Sequence, residues 1–251
     1  MGMEERLEQA ELDALWLPGD PVASEERLLA AVAQPDRSEL VRAELDTQRA
    51  RALGLQGRIE EAEALLGSLG PAGPLLEVRV LLERGLLRVA AGDPRGAAPL
   101  LAAALHDARQ GGEVALAVES ALALARADAP HADQWIDEGL SDLAGATDPR
   151  VLRFGVELHL VRGGARLADG DPAAALVSFQ DAVGYAEAFG TLEQQFAARW
   201  ALGRALRALG RTAEALDVQR RLAAERPEEP AVAAELAALA AVTGETNTIE
   251  S

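Results

Sequence analysis

A short loop word recurs along this chain at a nearly fixed interval. Gly19-Asp20-Pro21, Gly92-Asp93-Pro94 and Gly170-Asp171-Pro172 repeat it outright, Gly57-Arg58 and Gly210-Arg211 are variants, and Asp128-Ala129-Pro130 fills the remaining slot without glycine. From 19 to 57, 92, 128, 170 and 210 the steps are 38, 35, 36, 42 and 40 residues. A period in this range marks a solenoid, a row of supersecondary units that bury their apolar faces only against their neighbours.

Composition names the units as helical. Apolar residues make up 49% of the chain but aromatics only 3%, so Leu, Ala and Val must form the core. Ala and Leu are strong helix formers, and the β-branched and aromatic residues of strands are sparse. The final unit is the clearest. Phe196 to Leu209 reads as a first helix with Leu202, Ala205, Leu206 and Leu209 on one stripe, and Gly210-Arg211 turns the chain. Thr212 is placed to cap a second helix running from Glu214 to Ala224. Pro227 and Pro230 stop it and open the next element.

The run Leu202-Gly203-Arg204-Ala205-Leu206-Arg207-Ala208-Leu209-Gly210-Arg211-Thr212-Ala213-Glu214-Ala215-Leu216, closed by Pro227, resembles the tetratricopeptide repeat (TPR). That family has Leu-Gly in its first helix, Gly in the turn, Ala five residues on and Pro at the end. The alanine recurs as Ala62, Ala97, Ala175 and Ala215, and Phe179 and Ala182 match the family's aromatic and small positions. Gly203, Gly85 and either Gly163 or Gly164 stand near the site of close helix approach. In the first unit Ser24 replaces the alanine. The fourth unit departs further, with Asp128 for the turn glycine and Asp133 for the alanine, although Trp135, Ile136, Leu140 and Leu143 still give it an apolar face. The segment from Ala198-Arg199-Trp200 to Glu225 also resembles bacterial cytoplasmic repeat proteins, a likeness that names no activity.

The resemblance implies an all-α, right-handed superhelix of about six helix pairs with a C-terminal capping helix. One repeat domain would span residues 1–243, with units near 3–35, 38–70, 74–111, 113–145, 150–189 and 192–227 and the capping helix at 230–243. The polar stretch 244–251 lacks periodicity and is expected to be disordered.

The net charge of −17 disfavours nucleic acid and anionic membrane as partners, since both require cationic surface. All 24 basic residues are arginines, planar forks suited to bidentate carboxylate contacts. There is no cysteine, which excludes disulfides, thiolate nucleophiles and Cys-type zinc sites. Met1 to Leu15 is acidic without an apolar h-region, and no apolar run reaches transmembrane length, so the chain reads as cytoplasmic.

No constellation of nucleophile, base and oxyanion donor stands out, and no enzyme activity, cofactor or metal is expected. His131, Asp133 and Asp137 are better explained as a solvated helix end than as ligands. Acidic pairs such as Glu60-Glu61 and Glu228-Glu229 suit helix starts.

The resemblance implies a non-catalytic scaffold or adaptor that binds a protein or peptide on the concave face lined by the first helices. Candidate contacts are Arg84 and Arg88, then Arg162 and Arg166 with His159 on the same stripe, then Arg204 and Arg207, with Trp200 as an apolar anchor. Such a groove would clamp an acidic peptide or a C-terminus. The same arginines can instead pair with glutamates such as Glu83 and Glu157 on a plain wet surface. Trp200 can equally be a buried contact between repeats, while Trp16 and Trp135 read as core. Two alternatives accompany the scaffold: a ligand- or peptide-responsive regulatory module acting in trans, and a homo-oligomer. A homodimer could use Ala234, Leu236, Leu239, Ala240 and Val242 on the last helix.

Overall fold

The structure is a computed structural model that describes residues 6–70 and 73–243; the expected disordered tail, 244–251, lies outside the described residues. Helices account for nearly all regular structure, and no strand occurs among the described residues. The chain divides into two compact units, up to Ala146 and from Thr147.

In the first unit α1 (Gln9–Leu15) is followed by α2 (Pro21–Val32), α3 (Glu39–Leu55) by α4 (Ile59–Ser68), α5 (Pro74–Ala90) by α6 (Pro94–Gly111), and α7 (Val114–Ala127) by α8 (Ala132–Leu143). In the second, a short turn of helix, α9 (Pro149–Leu152), leads into α10 (Phe154–Ala168), which pairs with α11 (Pro172–Phe189). α12 (Leu192–Ala208) pairs with α13 (Thr212–Glu225), and α14 (Pro230–Thr243) follows alone. Within each unit every helix packs on its neighbours in sequence, and the first helices of successive pairs also meet, α3 with α5, α5 with α7, α10 with α12 and α12 with α14. This is the expected all-helical repeat architecture.

The loop word is explained by backbone geometry. Gly92 and Gly170 have φ of +76° and +79°, the left-handed conformation that ends a helix. The next residue's N–H then reaches back across the turn: Asp93 to the Arg88 carbonyl at 2.8 Å and Asp171 to that of Arg166 at 2.9 Å. The aspartates cap the second helices, accepting from the N–H groups of Gly96 and Ala174 at 2.9 Å, and proline sits at the first helical position where its missing donor is harmless. Where arginine replaces the aspartate, the backbone bond persists (Arg211 N–H to Leu206 at 2.9 Å) but no side chain caps the helix. Thr212 is therefore the first residue of α13 and not its cap, because Gly210-Arg211 already supplies the turn. Arg211 instead pairs with Glu214 through two bonds of 2.8 and 2.7 Å.

The alanine five residues after each turn is fully buried at Ala62, Ala97, Ala175 and Ala215. Ser24 is buried in the first pair and satisfies its hydroxyl on the Asp20 carbonyl at 2.8 Å. In the fourth pair a turn of 3-10 helix, Ala129–His131, delays α8, so Asp133 faces solvent and Ile136 is buried instead. A Cβ at Gly163 would fall 2.4 Å from the Phe179 ring, whereas one at Gly164 meets open space, so of these two Gly163 is the one at a close helix approach.

No helix among the described residues is long and apolar enough to cross a membrane. On α14, Leu239 is fully buried and Leu236 packs beside Phe196 and Val232, leaving Ala234 and Val242 exposed.

Candidate functional site

Counting back from each turn shows which way a first helix points its side chains. Arg51 and Arg204 both stand six residues before a turn glycine, Gly57 and Gly210. Glu83 and Glu119 stand nine before Gly92 and Asp128, and Glu235 stands nine before Gly244. In both compact units an arginine at the first of these positions reaches a glutamate at the second on the next first helix.

In the first unit Arg51 of α3 donates to Glu83 of α5, from Nε at 3.0 Å and from Nη2 at 2.6 Å, and also to Glu119 of α7. One guanidinium thus ties three first helices along a shared face. Glu83 is 1% exposed and accepts a further bond from Gln48 at 3.3 Å. Burial weakens the Arg51 charge, but the Glu119 and Glu83 carboxylates outweigh it and raise its proton affinity. Burial likewise raises the pKa of Glu83, opposed by the Arg51 charge and hydrogen bonds.

In the second unit Glu235 of α14, which is buried, receives Arg207 Nε at 2.7 Å and Nη2 at 3.1 Å. That hydrogen bonding holds the Arg207 pKa above its ordinary value. Arg204 lies 3.7 Å from the same carboxylate and stacks on the Trp200 ring, 4.8 Å from its centroid. Trp200 is half-buried beside Phe196, Leu222 and Val232, and its indole N–H donates to the Ala231 carbonyl at 3.3 Å. The Trp200–Arg204 pair is therefore packed on one side and open on the other.

The remaining sequence candidates occupy other faces. Arg84 and Arg162 stand eight residues before their turns, and Arg88 and Arg166 four before. Arg84 turns toward α4, with Glu63 at 3.6 Å, and Arg88 lies 3.8 Å from Asp93 at the loop. His159 is buried against α11, its ring 5.4 Å from that of Tyr185 and its Nδ1 3.7 Å from Asp181. Burial lowers the His159 pKa, the Asp181 charge opposes this, and Arg162 adds to it. Arg162 and Arg166 are half-buried on α10. Within the second unit the structure brings Trp200, Arg204 and Arg207 together around Glu235.

Sequence reading missed Arg51 and Glu119, and named Glu83 only as a surface partner of other arginines. The available signal was the register against the turns, which separates Arg204 from Arg84 and aligns it with Arg51. Among the described residues no three His, Asp or Glu side chains gather as metal ligands do.

No family model matches the sequence, and no curated protein matches it significantly. Solved structures do. BtubC (BKLC) from P. vanneervenii superposes with a TM-score of 0.60 at 17% identity, covering 83% of this chain and 92% of that one. A putative kinesin light chain of Podosopora anserina, with nearly identical TPR-like repeats, gives 0.54 at 20% identity, covering 73% and 94%. With its glycine turns, close-packed glycines and first helices in mutual contact, this chain has the fold of the TPR-like repeat proteins.

Proposed function

We propose that the chain is a non-catalytic scaffold that binds a protein or peptide partner on the face of its first helices, with Arg204 and Trp200 as the principal contact in the second unit. The TPR-like fold, which generally mediates protein–protein interaction, supports the class of function. The observation that carries the site is the stacked Arg204–Trp200 pair. Among the described residues Arg204 makes no hydrogen bond, so its guanidinium donors are available to a carboxylate while Trp200 offers an apolar surface. A packed helical array holds both side chains in place before binding, which limits the entropy lost on association. Arg84, Arg88, Arg162 and Arg166 add positive charge elsewhere on their helices and favour an acidic partner over a basic one there.

The test separates binding from folding. Arg207 secures the buried Glu235, so reversing its charge would set two carboxylates together and loosen α14. Arg204 lies 3.7 Å from the same carboxylate, so its charge is removed and not reversed. Arg204→Gln, which leaves Arg207 on Glu235, is expected to weaken capture of an acidic C-terminal peptide or protein partner at least about tenfold, with the melting temperature little changed. Unchanged affinity would remove Arg204 from the site.

A further inference from the structure

The face of the first unit that carries Arg51 is occupied by the chain's own N-terminal segment. Residues 6–8 precede α1 without helical structure. The Leu7 N–H donates to Glu44 Oε2 on α3 at 2.8 Å, and the Leu7 side chain is 6% exposed. Arg6 Nη2 donates to Glu113 Oε2, at the start of α7, also at 2.8 Å. The segment therefore reaches from α3 to α7, the same span that Arg51 bridges further along.

Two features distinguish this contact from a plain end cap. A cap needs only apolar cover, which Leu7 and Leu12 give. It needs neither an arginine on a carboxylate 107 residues away nor a main-chain amide on a buried one. The seat is also incompletely satisfied. Glu44 is fully buried, yet among the described residues its Oε1 accepts no hydrogen bond, and Arg79 Nε, 3.7 Å away, donates none. Without Arg6-Leu7, Glu113 and Glu44 lose the donors that the segment supplies, while Arg51 is committed to Glu83 and Glu119, so the exposed end at Glu113 calls for a cation.

We propose that Glu44 and Glu113 mark the two ends of a docking site for an extended peptide bearing an arginine followed by an apolar residue, and that Arg6-Leu7 holds the site in cis until such a partner peptide displaces it. The surface and its chemistry are distinct from the Arg204–Trp200 site, and the two stand or fall separately.

The probe is a fluorescent synthetic peptide copying residues Met3–Ala10, followed by anisotropy against full-length protein. A tethered segment competes at an effective concentration on the order of millimolar, so the wild-type chain should bind weakly. Arg6→Ala with Leu7→Ala should bind at least about tenfold more tightly, and adding Glu113→Gln, which removes the charge that the arginine meets, should abolish the gain. A peptide with its arginine changed to glutamate should not bind. Should the double variant fail to fold, Arg6→Ala alone carries the test, because the Arg6 side chain is half exposed. Equal, negligible affinity of wild type and Arg6→Ala would overturn the proposal. So would self-association of the variants by light scattering with no peptide binding, which would make the occupant a second copy.

Discussion

Single side chains set how these helices are held together. Arg51 satisfies Glu83, which is almost wholly buried, so Arg51→Ala leaves an uncompensated charge and should destabilise the first unit by about 3 kcal/mol in urea unfolding. Arg51→Met combined with Glu83→Gln should recover most of that loss, since no charge then remains at the Glu83 position. His159 gives a pH test. Its folded pKa lies below the ordinary 6.5, so as pH falls below that value the unfolded chain takes up a proton that the folded chain resists. Its contribution is therefore present above pH ~6.5 and lost on acidification toward the folded pKa, at up to about 1.4 kcal/mol per pH unit. His159→Phe, which keeps a ring against Tyr185, should flatten the stability difference between about pH 7.5 and 5.5.

Elements are set by the turn and by how closely paired helices approach. Gly163 and Gly164 are neighbours in α10 with opposite duties. Gly163→Ala drives a methyl into the Phe179 ring and should cost about 1–3 kcal/mol, because a filled interface resists an added carbon. Gly164→Ala meets open space in an exposed helix interior and should stabilise by up to about 1 kcal/mol, the helix propensity difference between the two residues. Thermal unfolding of the two variants separates them by sign. The turn glycine, the alanine five residues later and the small residue in the first helix were legible in the sequence because each is a local steric requirement. Thr212 was misplaced as a cap by one residue, since arginine in the loop word keeps the backbone turn while giving up the side-chain cap.

Across the whole molecule, helices touch mainly their neighbours in sequence, so stability is a sum of local terms. Leu239→Ala on α14, at a fully buried position, should cost about 2–5 kcal/mol. Hydrogen exchange should then accelerate in α12–α14 and stay unchanged in α2–α5, which belong to the other compact unit. The proposed scaffold role belongs to this scale as well: within each unit the packed first helices carry both acidic and basic side chains despite the overall excess of acid.

Sequence by itself determined the period, the helical class and the position of the turns, because these follow from local chemistry: left-handed glycine, aspartate caps, proline at the first helical position and alanine where helices meet. It did not decide which arginines share a face. Arg84, Arg162 and Arg204 look equivalent as cations on first helices, yet they lie eight, eight and six residues before their turns. On a helix of 3.6 residues per turn a shift of two residues turns a side chain by roughly 200°, from the inter-helix clamp to the flank. Only the tertiary structure showed that Arg51 binds three helices, that Arg207 is committed to Glu235, and that Arg6 lies on Glu113. Those partners come from helices distant in sequence, and their proximity is set by how the pairs stack.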